Sequence, residues 1–290
     1  MTPVVASLHP RRSVLYMPGS NARALDKARS LPADALILDL EDAVAPDAKE
    51  TARAQVCEAV KAKIFGKREV IIRINALSSE WGEHDLTAAT AANPDAVLVP
   101  KVSSPRDIHR VEHRLADTQI AIWAMVETPP AILNIAALAA AGGKLSCLVM
   151  GTNDLIKEIR GVHTPDRLNL AAALGLSVIA GRANGLCVID GVYNDIEDAN
   201  GFAAACAQGR SFGFDGKTLI HPSQIEPCNA VFAPSPAEVD AAKKIIAAFA
   251  LPENSGKGAI KLDGRMVELL HAETAKHIVA LADAIAALVS

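Results

Sequence analysis

Aromatic residues are scarce in this chain of 290 residues, because Trp, Tyr and Phe together make up only 3% of it. Proteins that bind single-stranded nucleic acid stack its bases on aromatic side chains, and nucleic-acid binders usually carry a basic surface. The chain has a formal net charge of -4, so it lacks the basic balance as well. We therefore expect no nucleic-acid partner.

Cysteines are also few, and no two of them are spaced as a Cys-x-x-Cys pair. The five cysteines are Cys57, Cys147, Cys187, Cys206 and Cys228. This scatter argues against a cysteine zinc site and against a disulfide framework, and it is typical of reduced thiols in a cytosol.

Long hydrophobic runs are absent from the sequence. No run reaches the roughly 18 apolar residues that a membrane span needs, and the N-terminus has no apolar segment of signal-peptide length. We therefore expect a cytoplasmic protein without a membrane partner. The composition, 50% hydrophobic and 21% charged, is typical of a globular protein with a sizeable core.

The chain does contain a regular alternation of short apolar segments with Ala-rich segments of helical length. Eight segments are predicted to be buried strands: residues 13–18, 35–41, 69–75, 96–101, 121–128, 147–155, 186–191 and 215–222. Helices are expected between them, for example at 22–30, 170–183 and 199–210. Ser104-Pro105 is a helix start, and Pro129-Pro130 and Gly142-Gly143 are expected to open and close another helix.

This alternation of strands and helices predicts a parallel sheet with right-handed crossovers. The count of eight favours a closed (β/α)8 TIM barrel over an open doubly wound sheet. An open sheet would normally show a glycine-rich GxGxxG turn after the first strand, and Met17-Pro-Gly-Ser20 is not one.

The alternation of predicted strands and helices stops after residue 223. Pro227, Pro234 and Pro236 predict a loop region, followed by a helix at 238–250, a linker at 251–258 and a last helix at about 267–288. We therefore divide the chain into a barrel domain, residues 1–225, which starts with a short lead-in at residues 1–10, and a C-terminal extension, residues 226–290. A tail with a glycine-rich hinge is expected to act as a lid or to contact a neighbouring subunit.

Polar residues are concentrated where the predicted strands end. In a parallel barrel the C-terminal ends of all strands form one mouth, which is where active sites lie. The residues at these ends are Asp39, Glu41, Asp42, Arg73, Asn75, Lys101, Glu127, Asp154, Asp190, Lys217 and His221. Stability alone does not account for such a concentration, so we expect a functional polar site here.

Glu127 and Asp154 each end an apolar run, and together they could hold one divalent cation. Oxygen ligands without a neighbouring His or Cys pattern favour Mg²⁺ or Mn²⁺ over Zn²⁺. The alternative is that one or both carboxylates pair with Arg73 or Lys101 in a site without a metal.

Arg73 is flanked by apolar residues, and its guanidinium suits a carboxylate or a developing enolate oxygen. The alternative is an interior arginine paired with Glu41 or Asp39. His221 could be a general base or a satisfied structural histidine. Asp263, between Leu262 and Gly264, is by itself a turn aspartate.

An ordered set of motifs spans nearly the whole chain. The motifs are residues 12–20, 38–44 with Lys49 and Ala52-Arg53, 73–75, 99–101, Glu127-Thr128, 151–155 and 213–224. Each motif alone is weak, but their order makes the set specific. The set resembles a known family, the citrate lyase β-subunit-like, HpcH/HpaI-type CoA-ester lyases, and especially its malyl-CoA and citramalyl-CoA lyase-like members.

The resemblance implies a (β/α)8 barrel that assembles into homotrimers or hexamers, with Mg²⁺ or Mn²⁺ held by Glu127 and Asp154. It implies that Arg73 contacts the reacting oxygen or carboxylate, and that Gly151 and Thr152 contact the substrate.

The resemblance also gives the tail a role. Residues 258–267 are similar to the segment that, in malyl-CoA lyase-type members, brings an aspartate across a subunit interface, and Asp263 occupies the matching position. The CoA phosphates are expected near the first βα loop, where Arg23 and Lys27 could meet them.

The implied function is that of a Mg²⁺-dependent carbon–carbon lyase. It would cleave or form a 3-hydroxyacyl-CoA such as malyl-CoA or citramalyl-CoA, with an acyl-CoA and a 2-oxo acid as the other side of the reaction. Alternatives are a malyl-CoA-type thioesterase on the same site, an aldolase on free 2-oxo acids, and a citrate lyase β-type subunit that needs an acyl-carrier partner. The residues do not separate the lyase from the thioesterase.

Overall fold

A computed structural model describes residues 9–289, so residues 1–8 of the expected lead-in lie outside the described residues. Contacts divide the chain into two compact units. The barrel unit is Arg11–Phe232, and the C-terminal unit begins at Ala233 and includes the described residues before Arg11. The domain boundary expected after residue 225 falls at the start of the last helix of the barrel unit, Ile225–Phe232.

Eight parallel strands close into a barrel in chain order, and the eighth strand pairs with the first. This arrangement confirms the expected TIM barrel, with a strand in each of the eight predicted segments. The strands are β1 (Ser13–Pro18), β2 (Ala35–Asp39), β3 (Glu69–Arg73), β4 (Ala96–Val99), β5 (Ala121–Val126), β6 (Leu145–Met150), β7 (Cys187–Asp190) and β8 (Gly216–Leu219).

Alternate residues of the strands fill the inside of the barrel and the layer under the helices. The inner set includes Val14, Ile37, Ile71, Trp123 and Val149, all of them fully buried. Their neighbours along the strands belong to a second cluster that packs against the helices. Because both faces of each strand are buried, the strands read as continuous apolar runs.

Ten helices belong to the barrel unit. They are α1 (Ala22–Ala28), α2 (Lys49–Lys61), α3 (Gly82–Ala92), α4 (Pro105–Arg114), α5 (Pro129–Leu133), α6 (Ile135–Ala139), α7 (Thr152–Glu158), α8 (Ala171–Ala183), α9 (Ala199–Phe212) and α10 (Ile225–Phe232). The expected helix start at Ser104-Pro105 is confirmed by a capping box that Ser104 forms with Asp107. None of the helices in the described residues is both long enough and apolar enough to span a membrane.

Two expectations for the helices were wrong. The single helix expected after Pro129-Pro130 is broken at Asn134 into α5 and α6. The loop expected around Pro227 is helix α10. Pro227 is its third residue, where the backbone N–H would have no partner within the helix, so proline is tolerated there.

The C-terminal unit contains two long helices and a small hairpin. They are α11 (Pro236–Ala250), β9 (Ala259–Leu262), β10 (Arg265–Glu268) and α12 (Leu269–Val289). The hairpin turns at Asp263 and Gly264, whose φ angles are 48° and 80°. A two-residue turn with positive φ at both positions strongly favours Asp-Gly.

Candidate active site

A cavity of about 320 Å³ lies at the C-terminal mouth of the barrel. Asp39 and Asp42 line it, and it brings together the five barrel residues predicted to contact the metal or the substrate: Arg73, Glu127, Gly151, Thr152 and Asp154. They come from the ends of β3, β5 and β6 and from the first turn of α7. Thr152 also lines a neighbouring cavity of about 330 Å³.

Glu127 directly follows β5 and is fully buried. Its Oε1 accepts the backbone N–H of Lys101 at 2.7 Å, whereas its Oε2 is buried without a hydrogen-bond partner. Burial raises the pKa of this carboxyl, and the charge and N–H of Lys101 oppose the rise. A buried carboxylate oxygen without a partner is costly, so it is a natural point for a cation to bind.

Gly151 allows the end of β6 to approach this carboxylate. A Cβ atom at position 151 would lie 2.6 Å from Glu127 Oε2, closer than van der Waals contact permits. A residue with a side chain would therefore displace Glu127, which explains why the sequence has glycine here.

Lys101 connects the two candidate metal ligands. Its Nζ lies 2.8 Å from Asp154 Oδ1 and 3.5 Å from Glu127 Oε1, so one cation already meets both carboxylates. Although partial burial opposes it, the hydrogen bond to Asp154 raises the pKa of Lys101. Its backbone φ of 54° is uncommon for a residue other than glycine, and such strain is often found at functional sites.

The donor set fits Mg²⁺. No group of three or more His, Cys, Asp or Glu side chains suited to a metal is found in residues 9–289, but Mg²⁺ is commonly bound by one or two carboxylates, with waters and substrate as its other ligands. Glu127 offers its unpartnered Oε2, and Asp154 shares the Lys101 ammonium with the other oxygen of Glu127. The ion pair with Lys101, which the sequence left open as an alternative, is present, and a metal ion would compete with it.

Arg73 is held by carboxylates on two sides. Its Nε and Nη2 donate to the two oxygens of Asp39 at 2.7 and 2.6 Å, and its Nη1 lies 2.8 Å from Glu41 Oε2. The guanidinium carbon also lies 4.9 Å from the ring centre of Tyr16. Although burial opposes it, the charge of Asp39 raises the pKa of Arg73 well above its usual value. The pairing that the sequence left as an alternative is thus present, yet Arg73 also lines the cavity.

Two strand-end residues that were expected at the mouth, Asp190 and Lys217, lie elsewhere. They form a buried ion pair of 2.8 Å that Arg167 extends. Their neighbours Ile189 and Thr218 face the barrel interior and the cavity. Because successive side chains of a strand point to opposite faces, Asp190 and Lys217 point outward under the helices.

Asn75 and His221 do not line the cavity. Both form hydrogen bonds that hold nearby segments of the chain. Asn75 accepts a hydrogen bond from Lys49 and donates to Asp85. His221 is exposed, and its Nδ1 accepts the N–H of Ser223 at the start of a 3₁₀ turn. The structure therefore favours the structural interpretation of His221 over the general base.

Arg23 and Lys27, which belong to the barrel unit, do not line this cavity. Arg23 and Lys27 are exposed and one turn apart on α1. Asp263 is exposed at the hairpin turn of the C-terminal unit. The CoA contact and the catalytic role expected of these residues remain proposals.

Tyr16 and Thr218 also line the cavity, although neither was among the predicted site residues. Strand alternation could have found both, since Tyr16 shares the inner face of β1 with Val14.

Residues 12–222 match the family of HpcH/HpaI aldolase/citrate lyase proteins. The chain belongs to this family. A (3S)-malyl-CoA thioesterase of Cereibacter sphaeroides is 51% identical over 279 residues, which cover 96% of this chain and 97% of the relative. The citrate lyase subunit beta of Escherichia coli K12 is 34% identical over 267 residues, covering 89% of this chain and 88% of that subunit.

A solved structure shows the same architecture with ligands. It is the protein CitE of Mycobacterium tuberculosis in complex with magnesium, acetoacetate and coenzyme A. The two chains are 27% identical with a TM-score of 0.73, and the alignment covers 92% of this chain and 97% of CitE.

Proposed function

We propose that this chain is a Mg²⁺-dependent enzyme that hydrolyses the thioester of a malyl-CoA-type substrate to CoA and a hydroxy dicarboxylic acid. The observation that carries the choice of reaction is the 51% identity, over 96% of the chain, to a (3S)-malyl-CoA thioesterase. The sequence motifs led us to expect carbon–carbon cleavage, with hydrolysis as the alternative, whereas the similarity to this thioesterase favours hydrolysis.

The chemistry of the cavity supports this substrate class. Two carboxylates face one cation position, which suits a ligand with a carboxylate and a neighbouring hydroxyl. Arg73 adds a positive group in the same cavity for the oxygen of the thioester. The solved structure of CitE contains magnesium and coenzyme A, which supports a metal ion and a CoA ester as the ligands of this chain.

Each residue would have a separate task. Glu127 and Asp154 would hold Mg²⁺, which when bound supplies Lewis-acid polarisation and orients the substrate. Arg73 would stabilise the negative charge that develops on the thioester oxygen, an effect typically worth about 3 kcal/mol. Gly151 and Thr152 would contact the substrate beside Asp154.

Asp263 is proposed as the group that moves the proton. In hydrolysis its carboxylate would take a proton from the water that attacks the thioester carbon. The new C–O bond forms, the C–S bond breaks, and the sulfur leaves as the thiol of CoA after protonation.

Carbon–carbon cleavage to an acyl-CoA and a 2-oxo acid is the second candidate, favoured by the 34% identity to citrate lyase subunit beta. The substrate hydroxyl would lose its proton to Asp263 as the carbon–carbon bond breaks and the hydroxyl carbon becomes the carbonyl of the 2-oxo acid. Arg73 would stabilise the resulting enolate of the acyl-CoA, and Asp263 would return the proton to the enolate carbon. Both reactions can use Mn²⁺ in place of Mg²⁺.

We also propose that the chain works in the cytoplasm as a homotrimer or hexamer. Arg23 and Lys27 would contact the CoA phosphates. The extension after residue 225 would act as a lid or subunit contact that supplies Asp263. Support for these points is the resemblance of the motifs and the exposure of the three side chains.

The products distinguish the candidates. Purified protein incubated with (3S)-malyl-CoA and Mg²⁺ should release free CoA and malate in equal amounts. Formation of glyoxylate and acetyl-CoA instead would favour the lyase. A lack of either product set would reject this substrate.

A further inference from the structure

Arg73 is surrounded by more negative charge than it can neutralise. Asp39 accepts the Nε hydrogen and one of the two Nη2 hydrogens. Glu41 Oε2 lies 2.8 Å and Asp42 Oδ2 3.5 Å from Nη1. A substrate oxygen that approaches the remaining nitrogen, Nη1, therefore meets Glu41 already beside it.

Glu41 is poorly placed to remain ionised. Its side chain is only 10% exposed. Its Oε2 is buried and has no hydrogen-bond partner. Arg73 Nη1 lies 2.8 Å from this oxygen, but the contact does not have the geometry of a hydrogen bond. Burial raises the pKa of Glu41 to about 8, and Asp42 and Glu127 add to the rise while Arg73 opposes it.

The backbone around Glu41 is fixed. Lys49 Nζ donates to the carbonyl oxygens of Leu40 and Glu41, each at 2.7 Å. Asp39 accepts the N–H of Glu41 at 2.9 Å. The carbonyl oxygen and the N–H of Glu41 are therefore both held by hydrogen bonds. When a substrate anion binds nearby, protonation of the Glu41 side chain is an easier response than a movement of its backbone.

We propose that Glu41 takes up one proton from solvent when an anionic oxygen of the substrate binds at Arg73 Nη1. The neutral carboxylic acid then no longer repels the negative charge of the substrate oxygen, and the positive charge at Nη1 is left to the substrate. Glu41 is thus a positioning residue, because it acts through Arg73. The inference rests on the proposed function, which places a substrate oxygen at Arg73.

Charged and titratable groups face Glu41 from every element around it. They lie on β1, β2, α2 and β3, in the segment after β2, and beyond the ends of β4 and β5. The groups are Tyr16, Asp39, Asp42, Lys49, Arg73, Lys101 and Glu127. Burial raises the pKa of Tyr16 and Glu127 as well, so the test must remove the charge of Glu41 alone.

Calorimetric titration with (S)-malate and Mg²⁺, in two buffers of different ionisation enthalpy at a pH slightly above 8, measures the proton uptake. The wild-type protein should take up a large fraction of one proton per site. Glu41→Gln should bind malate without this uptake. Asp42→Asn, in which the more exposed neighbouring carboxylate is removed, should keep it. Absence of uptake in the wild type, or equal uptake in Glu41→Gln, would overturn the proposal.

A measurement without malate tests Glu41 independently. Because its pKa is raised in the folded state, Glu41 contributes stability at low pH that is lost as the pH rises through about 8. Between pH 6.5 and 9 the wild-type melting temperature should therefore fall further than that of Glu41→Gln. Equal falls would overturn the proposal. Failure of malate to bind the wild type would instead reject the proposed substrate class and leave this measurement to decide the role of Glu41.

Discussion

At the scale of single residues, the site is defined by carboxylates that have more than one possible partner. Glu127 has one oxygen bonded to a backbone N–H and one buried oxygen without a hydrogen bond. Asp154 pairs with Lys101, which also lies near Glu127. Such a set can exchange a lysine ammonium for a divalent ion without any change in the fold.

Glu127→Gln tests the metal site. Its amide oxygen can still accept the Lys101 N–H, so the variant should fold with a wild-type melting temperature. It should bind Mg²⁺ at least about tenfold more weakly, because an anionic ligand is lost. Calorimetry with Mg²⁺, or spin-resonance titration with Mn²⁺, measures the affinity. Glu158→Gln on the exposed end of α7 is the control, and equal affinity in both variants would contradict the assignment.

Lys101→Met tests whether the ammonium competes with the metal. Lys101 is 37% exposed, so its ion pair is worth only about 0.5–1 kcal/mol. Removing it should tighten Mg²⁺ binding by roughly two- to fivefold. Lys157→Met, exposed on α7, should leave the affinity unchanged. Weaker binding in Lys101→Met would mean that Lys101 supports the metal site instead.

At the scale of elements, the sequence predicted which segments form strands better than it predicted which side chains face the site. The apolar runs identify β7 and β8, but a strand of four residues does not show which alternate set points inward. Asp190 and Lys217 were therefore assigned to the mouth although they point outward, and Thr218 was missed. Similarly, Pro227 predicted a loop, because its place in the first turn of α10 is not visible from the residue itself.

The segment that carries Asp39, Glu41 and Asp42 depends on a lysine of the next helix. Lys49 is 5% exposed, and its Nζ donates three hydrogen bonds of 2.7 Å to Leu40, Glu41 and Asn75. Lys49→Met should lower the free energy of unfolding by about 3 kcal/mol, because three buried acceptors lose their donor. Urea denaturation measures this change. Lys61→Met on the exposed end of α2 is the control, and a similar small change in both variants would contradict the argument.

The hairpin turn explains why Asp263 can be tested cleanly. Asn tolerates the positive φ of this position as well as Asp does, so Asp263→Asn should keep the turn and the stability. If the carboxylate moves the proton, kcat should fall by about a hundredfold or more. Asp283→Asn, exposed on α12, should keep its activity. A rate close to wild type in Asp263→Asn would remove this residue from the mechanism.

At the scale of the whole molecule, the eight-strand count and the ordered motifs were enough to predict the barrel and the family. They could not distinguish hydrolysis from carbon–carbon cleavage, because both reactions need a cation, an arginine and a proton-transfer group in the same mouth. They offered the pairing of Arg73 with Asp39 or Glu41 only as an alternative and did not predict that both contacts form, since those contacts depend on how neighbouring strands align.

A product analysis with (3S)-malyl-CoA, in the presence of Mg²⁺ and after its removal by EDTA, tests the proposed hydrolysis and its dependence on the metal together. We predict that free CoA and malate form with Mg²⁺, that EDTA abolishes the reaction, and that added Mg²⁺ or Mn²⁺ restores it. Turnover that is insensitive to EDTA would contradict the metal site formed by Glu127 and Asp154. The absence of any CoA-ester turnover in the metal-loaded protein would contradict the proposed function.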